Sequence, residues 1–255
     1  MGSEPPLYVV SDVHGHRRDL VDALADAGLV TPGRRTGPRW AGGAAHLWVL
    51  GDLLDRGPDG LGVVELVMSL QEQAPDQVHV LMGNHEALAW GRHQHPAGRF
   101  ADSWRLNGGR ARDQRGLRAH HLEWLRSLPV IARAGRWLLM HSDTTEYLRW
   151  GADLSSVNAT VRSLLRTAAE EDAWEVWAGL TNRYEFLGPD GEAAAARMLD
   201  TYGGEQIVHG HSIIGSLVDL PSAQVTEPWE YAGGRALAVD GGRYDGGPLL
   251  LVQLV

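Results

Sequence analysis

The chain of 255 residues contains no cysteine and no lysine, and it has only two phenylalanines. Without cysteine there can be no disulfide framework, no thiolate metal site and no cysteine nucleophile. All 23 basic residues are therefore arginine. Because alanine and glycine are abundant while isoleucine is scarce, we attribute this bias to a GC-rich bacterial genome and not to a surface adapted to phosphate.

Long hydrophobic runs are also missing, since no stretch of 18 apolar residues could span a bilayer. Residues 1–6 lack the basic start and apolar core of a secretory signal, so we expect a cytoplasmic protein. The net charge of −9 disfavours a nucleic-acid backbone as the main partner. The length and the lack of an evident linker predict a single domain over residues 1–255.

Short apolar runs that lead into helical patterns indicate an α/β fold. Residues 7–10, 47–50 and 78–81 are typical of buried strands, and each precedes a segment with the spacing of an amphipathic helix. Further strands are predicted near the C-terminal end, at residues 206–209, 236–240 and 249–255.

The middle of the chain is predicted to carry two additions to this pattern. Residues 91–116 are polar and rich in arginine and glycine, which predicts a long loop or lid. Residues 153–202 have mostly helical patterning and are predicted to form a helical insertion.

Three short strings stand where predicted strands end, and their residues are suited to metal ions. They read Ser-Asp-Val-His-Gly at 11–15, Gly-Asp-Leu-Leu-Asp-Arg-Gly at 51–57 and Gly-Asn-His-Glu at 83–86. Asp, His and Asn supply oxygen and imidazole donors for divalent first-row ions, and a lone Asp between two sets is well placed to bridge them. The pattern therefore indicates two-metal hydrolysis.

These strings resemble the calcineurin-like metallophosphoesterases, in particular the serine/threonine phosphoprotein phosphatases and bacterial diadenosine-tetraphosphate hydrolases. The signatures of that branch are D-x-H-G, G-D-x-x-D-R-G and G-N-H-E. Two later signatures also fit, a His at the end of a predicted strand (His141) and a Gly-His pair after another strand (Gly210-His211). The resemblance implies a four-layer α/β/β/α sandwich of two mixed sheets flanked by helices. Periodicity alone gives only the α/β class.

The resemblance also implies a ligand set for two divalent ions. Asp12 and His14 are expected to hold the first ion, and Asp52 to bridge both. The second ion is expected to be held by Asn84, His141 and His211. Such a bridge keeps two cations roughly 3.5–4 Å apart and lowers the pKa of a shared water, so that hydroxide is available near neutral pH. Mn²⁺ is the expected ion, with Fe, Zn, Ni or Co as alternatives.

Four further residues are implied to act on the substrate. His85 is expected to protonate the leaving group, with Asp55 orienting its imidazole and raising its pKa. Arg56 is expected to bind the phosphoryl oxygens, and Arg183 is a candidate for a second phosphate-binding arginine. In isolation, Asp55 and Arg56 could simply cap the next helix and pair with each other, but the complete motif favours the functional interpretation.

Two positions depart from the family pattern or leave a choice open. Related phosphatases follow the residue equivalent to His141 with small residues, whereas Ser142-Asp143-Thr144 follow here. Asp143 could shape a pocket, add a ligand or, as Asp commonly does, cap the next segment. Because the Gly precedes His211, we expect His211 to bind metal and His209 to support the site without touching an ion.

The leading functional hypothesis is a phosphoric monoester hydrolase that uses a metal-activated hydroxide on a phosphoprotein or small phosphorylated metabolite. The alternative is a dinucleoside polyphosphate hydrolase of the diadenosine-tetraphosphate type. The missing second His of a G-H-x-H motif disfavours a phosphodiesterase, and the complete ligand set disfavours an inactive metal-binding scaffold. No feature of the sequence defines an oligomeric state.

Overall fold

A computed structural model describes residues 5–31, 33 and 37–255. Its strands, in chain order, are β1 Leu7–Val10, β2 Val30–Thr31, β3 Arg39–Trp40, β4 His46–Val49, β5 Val78–Val80, β6 Ile131–Ala134, β7 Trp137–Met140, β8 Gln206–His209, β9 Trp229–Tyr231, β10 Ala236–Ala238 and β11 Leu251–Leu254. Its α-helices are α1 Arg17–Asp26, α2 Gly60–Gln73, α3 Asn84–Gln94, α4 Arg99–Leu106, α5 Ala111–Gly116, α6 Ala119–Ser127, α7 Tyr147–Trp150, α8 Leu154–Leu164, α9 Glu170–Thr181, α10 Gly191–Tyr202 and α11 Ile214–Leu217.

The strands form two mixed sheets and a small two-stranded ribbon of β2 and β3. In the first sheet the order is β11-β1-β4-β5, with β1, β4 and β5 parallel and β11 antiparallel. In the second the order is β6-β7-β8-β10-β9, with three parallel central strands and an antiparallel strand at each edge. The predicted α/β class with two mixed sheets and flanking helices is confirmed.

Alternation of side chains along each strand divides the core into two clusters. The smaller cluster joins the two sheets, since it contains Val9 and Leu50 from the first with Leu139 and Val208 from the second. The adjacent residue Val10 belongs instead to the larger cluster, which includes many helix side chains. Because successive strand residues point to opposite faces, one face of each sheet contacts the other sheet and the opposite face contacts helices.

Residues 91–116 were predicted to form a long loop or lid; the loop is wrong, and the lid stays a prediction. Helix α3 extends to Gln94, and α4 and α5 occupy most of the remainder. Phe100 and Trp104 lie one helical turn apart and are buried, and the Phe100 ring packs on Trp174 of α9 with centroids 5.3 Å apart. The sequence did not predict helix α4 because its apolar stripe is short and the surrounding residues are rich in arginine. Residues 153–202 contain α8, α9 and α10.

The parallel strands bring the three motifs to one rim of the sheets. Asp12, Asp52 and Asn84 follow β1, β4 and β5, while His141 follows β7 in the second sheet. The carboxyl ends of parallel strands meet at one edge, where loops are held rigidly yet stay open to ligands. None of the helices in the described residues combines the length and apolar content needed to cross a membrane.

Candidate active site

Backbone strain is concentrated in the candidate site. Nine non-glycine residues in the described part of the chain have positive φ. Six of them are residues that the sequence assigns to the site: Asp12, His14, Asp52, Asp55, Arg56 and His211. Non-glycine residues in the left-handed region are uncommon and collect at functional sites, where the surrounding fold holds them in place. The strand-end loops are therefore built to aim these side chains.

The donor atoms of the predicted metal ligands converge in two groups that share Asp52. One donor atom from each of Asp12, Asp52, His141 and His211 lies within 4.8 Å of the others, and so does one from each of His14, Asp52 and His85. The Asp52 oxygens face different groups: Oδ1 lies 3.4 Å from Nε2 of His141, and Oδ2 lies 3.5 Å from Nε2 of His14. Asp12, predicted as a ligand of the first ion, thus also lies among the predicted ligands of the second ion. His85, predicted only as a proton donor, lies beside His14 and Asp52.

Backbone carbonyls fix which nitrogen of each imidazole faces the centre. Nδ1 of His14 donates to Leu54 O and Nδ1 of His141 donates to Leu50 O, both at 2.8 Å. Nε2 of His211 donates in the same way to Thr181 O at 3.0 Å. A neutral imidazole that donates from one nitrogen presents a lone pair at the other, so three lone pairs point inward.

Burial keeps these imidazoles neutral. It lowers the pKa of His14 and of His211 well below the ordinary value, and it lowers the pKa of His141 in the same direction. The charged form is disfavoured because a buried cation loses its hydration. Neutral imidazole is the form that binds metal ions. The Nε2 atom of His14 has no hydrogen-bond partner among the described residues.

The contacts among His141, His211, Asn84 and Asp52 show whether divalent cations fit the site. Nε2 of His141 and Nδ1 of His211 are 3.2 Å apart, although both present lone pairs. The amide oxygen of Asn84 lies 3.0 Å from the same His141 atom and faces only acceptors. Burial, reinforced by Asp12 and Glu86, raises the pKa of Asp52 well above its ordinary value. Lone pairs that converge without a donor repel each other, and divalent cations among them remove that repulsion, so the residues fit metal ions.

Glu86 supports the bridging residue, a role that the sequence analysis did not assign. Its carboxylate is buried and accepts hydrogen bonds from the backbone N–H groups of Asp52 at 2.7 Å, Leu53 at 2.9 Å and Gly83 at 3.0 Å. These bonds hold the strained turn that carries Asp52. The only signal in the sequence was its place as the last letter of the Gly-Asn-His-Glu string.

His85 and Asp55 form the expected pair, but the expected pKa shift is absent. Nδ1 of His85 lies 2.9 Å from Oδ2 of Asp55. The alternative that Asp55 caps helix α2 is wrong, because that helix begins after Asp59. Burial, followed by Arg56 and His141, lowers the pKa of His85 well below its ordinary value, whereas we expected Asp55 to raise it. Burial also raises the pKa of Asp55 to about 6. Desolvation outweighs the neighbouring carboxylate.

Both candidate phosphate-binding arginines lie beside the donor groups. The Arg56 guanidinium carbon is 3.9 Å from the ring centroid of Tyr244, and that ring meets His14 edge-on at 5.1 Å. Arg183 NH1 reaches the carbonyl oxygen of His211 at 3.5 Å. Tyr244 is a neighbour that the sequence analysis missed, and its signal was a lone aromatic residue in the glycine-rich string at 241–247.

His209 and His211 have different contacts, which bear on which of the two could bind a metal ion. Nε2 of His209 lies 2.7 Å from the Tyr231 hydroxyl and Nδ1 lies 2.9 Å from Gly210 O, so both ring nitrogens have partners. His209 belongs to neither donor group, whereas His211 belongs to one. Asp143, likewise, is in neither group and contacts other loops.

The comparisons with known proteins agree with this geometry. The calcineurin-like phosphoesterase family profile matches residues 5–215. The chain belongs to the calcineurin-like phosphoesterase family.

Curated relatives match over a shorter segment. A symmetrical bis(5'-nucleosyl)-tetraphosphatase of Enterobacter sp. (strain 638) is 37% identical over 79 residues, which cover 31% of this chain and 23% of the relative. An uncharacterised protein of Schizosaccharomyces pombe is 36% identical over 86 residues, which cover 32% of this chain and 25% of the relative. The matched segment thus spans about a quarter of the length of either relative.

Solved structures share the fold over nearly the whole chain. A cold-active protein-tyrosine phosphatase of a psychrophilic Shewanella species superposes with a TM-score of 0.73 and 23% identity, covering 99% of this chain and 76% of that one. A protein serine/threonine phosphatase of Saccharomyces cerevisiae gives a TM-score of 0.58 and 18% identity, covering 93% and 67%. At these identities the likeness shows the fold.

The shared position of Asp52 gives a prediction for metal binding. Mn²⁺ at about 100 times its Kd should stabilise the wild type by about 2.7 kcal/mol, or roughly 5–10 °C in Tm. Asp52→Asn should lose most of that rise, because the amide removes the charge that faces both groups. The control Asp153→Asn, at the exposed N-cap of α8, should keep it. The measurement is thermal unfolding of chelated protein with and without Mn²⁺. An equal rise in Asp52→Asn would contradict the arrangement.

Proposed function

We propose that the protein is a metal-dependent phosphatase that hydrolyses phosphoric monoesters of a phosphoprotein or a small phosphorylated metabolite. The observation that carries this proposal is the position of Asp52, whose two oxygens face different donor groups. This is the arrangement that two-metal hydrolysis requires, because one carboxylate then holds two cations close together.

The residues that would hold the ions are those in and beside the two groups. In this proposal one site is formed by Asp12, His14 and Asp52, and the other by Asp52, Asn84, His141 and His211. When bound, the two ions, for which Mn²⁺ is our candidate, supply Lewis acidity and make water a stronger nucleophile near neutral pH.

Arg56 and Arg183 bind the phosphoryl group in this proposal. A guanidinium can donate two parallel hydrogen bonds to phosphate oxygens and keeps its charge at any physiological pH. The backbone of Arg56 is itself held in place, since its N–H donates to Gly108 O at 2.9 Å. Arg183 lies beside His211, which belongs to the other donor group. Each donor group thus has one of the two arginines near it.

His85 moves the proton in this proposal. Because burial keeps its imidazole neutral, with Nδ1 toward Asp55, its Nε2 lone pair is free to accept a proton first. Nε2 lies 4.0 Å from Oδ2 of Asp52, the residue that would hold both ions in this proposal. His85 takes a proton from that water and passes it to the departing alkoxide, so the alcohol leaves neutral and no net proton is gained by the enzyme.

A dinucleoside polyphosphate hydrolase is the second candidate. It is supported by the 79-residue match to a bis(5'-nucleosyl)-tetraphosphatase at 37% identity. Both candidates use the same donor groups, so the donors do not distinguish them. The arginines likewise serve either substrate, so a panel of substrates decides between the two candidates.

A substrate panel tests the proposal. Phosphoserine and phosphotyrosine peptides and p-nitrophenyl phosphate should be hydrolysed with Mn²⁺, and diadenosine tetraphosphate should be a poorer substrate by kcat/KM. Exhaustive chelation should abolish the activity and Mn²⁺ should restore it. A much higher kcat/KM for diadenosine tetraphosphate would favour the second candidate. Undiminished hydrolysis in chelator would disprove metal dependence.

The role of His85 gives a separate prediction. Loss of proton transfer typically costs roughly 10²- to 10⁴-fold in rate, and it matters most when the leaving alkoxide is strongly basic. His85→Ala should therefore slow an alkyl phosphate far more than p-nitrophenyl phosphate, with bound Mn²⁺ unchanged. The measurement is kcat/KM on both substrates together with the metal content of each variant.

His120→Ala is the matched control, because His120 is exposed and outside both donor groups. It should leave both rates unchanged. Equal losses on the two substrates in His85→Ala would show that His85 positions the substrate or water. Loss of one bound ion would show that it is a ligand, as its place beside His14 and Asp52 also permits.

A further inference from the structure

Asp143 is a completely buried carboxylate two residues after His141, where the family pattern has small residues. It is outside both donor groups, so metal binding does not account for it. Its contacts instead join three segments that come from distant parts of the sequence. These segments are the loops after β7, after α9 and after β8.

The first oxygen of Asp143 holds the loop that carries His211. The Ser212 hydroxyl donates to Oδ1 of Asp143, and Ser212 directly follows His211. Ser212 is itself fully buried. His211 sits at a φ of 63°, in the left-handed region, so its backbone needs support from its neighbours. The bond to Ser212 supplies that support on the C-terminal side of His211.

The second oxygen holds the loop that carries Arg183. The backbone N–H of Tyr184 donates to Oδ2 of Asp143 at 3.0 Å, and Tyr184 has a φ of 69°. A bulky aromatic residue in the left-handed region is strained and persists only where the surroundings enforce it. Tyr184 immediately follows Arg183, so this bond determines the direction in which the chain presents Arg183.

Neighbouring contacts strengthen the same connection. The N–H of Glu185 donates to the carbonyl oxygen of Asp143 at 3.0 Å. The Glu185 carboxylate in turn accepts from Thr144 Oγ1 at 3.0 Å and from Thr145 N at 2.7 Å. The loop after β7 and the loop after α9 are thus joined at Asp143 and at the two residues that follow it.

The third contact extends to the next strand. The Tyr231 hydroxyl lies 3.3 Å from Oδ2 of Asp143 and 2.7 Å from Nε2 of His209, and its one hydrogen points to the nearer His209. Asp143 therefore accepts hydrogen bonds from two separate segments and contacts a third.

We propose that Asp143 is a positioning residue that sets Arg183 and His211 in one fixed relation, so that the phosphate-binding arginine and a metal-binding histidine depend on the same carboxylate. The inference rests on the proposed function, which gives Arg183 and His211 their roles. The proposed role depends on the hydrogen bonds that Asp143 accepts, and no proton transfer is assigned to Asp143. Partners that orient metal ligands typically change metal affinity by roughly 10- to 100-fold when they are removed.

Two substitutions at the same position separate positioning from charge. Asp143→Ala removes both acceptors and should weaken the second Mn²⁺ about 10-fold and raise the inhibition constant of inorganic phosphate. Asp143→Asn should recover most of both values. The remaining oxygen can accept from Tyr184, and the new NH₂ can donate to Ser212, because a hydroxyl both donates and accepts.

Ser212→Ala breaks only the contact on the His211 side. It should weaken the second Mn²⁺ while leaving the phosphate inhibition constant within about twofold, since the bond to Tyr184 is intact. This variant removes a single hydroxyl, and it keeps the inference testable if Asp143→Ala does not fold. Asp153→Ala, which removes the exposed N-cap of α8, controls for a general loss of stability and should change neither value.

The measurements are calorimetric titration of Mn²⁺ into chelated protein and inhibition of p-nitrophenyl phosphate hydrolysis by inorganic phosphate. The inference is overturned if Asp143→Asn loses as much as Asp143→Ala, or if a folded Asp143→Ala keeps both wild-type values. It is also overturned if Ser212→Ala binds the second Mn²⁺ as tightly as the wild type. A wild type that binds fewer than two Mn²⁺ would contradict the proposed function instead, so the two failures are distinguishable.

Discussion

The constraint on which the site depends is the burial of many hydrogen-bond acceptors around one point. The carboxylate of Asp52 lies between imidazole nitrogens whose lone pairs face it, and the facing nitrogens of His141 and His211 are 3.2 Å apart. Such an arrangement is unfavourable without positive charge, because buried acceptors with no donor repel one another. Bound cations would convert this repulsion into attraction, so the same residues that repel one another would give the site its affinity for metal.

The fold holds these residues in place by fixing the turns at the strand ends. Glu86 accepts three short backbone hydrogen bonds around Asp52, and backbone carbonyls fix the outer nitrogens of the three imidazoles. Gly83 is required here, since a Cβ at this position would lie 2.3 Å from Oδ1 of Asp52. Strain in the turns is therefore offset by contacts from helices α3 and α9 and from the loop after β4, which is how strained residues persist at functional sites.

Much of the fold, and most of the residues that the structure brings together at the candidate site, could be predicted from the sequence. Strands β1, β4 and β5 are short apolar runs, and their motifs follow directly, so local patterns were sufficient. Helices α4 and α5 were missed because arginine-rich exposed faces concealed two buried aromatic positions. The support from Glu86 and the contacts of Asp143 join residues far apart in the chain, and the lowered pKa of His85 arises from burial. Neither long-range contacts nor burial can be read from local spacing.

The central claim is that Asp52 joins two cations. The most direct measurement is anomalous X-ray scattering at the manganese absorption edge, from crystals of the protein grown with Mn²⁺. The account predicts two peaks roughly 3.5–4 Å apart, with one Asp52 oxygen facing each. A single peak, or peaks that do not involve Asp52, would contradict it.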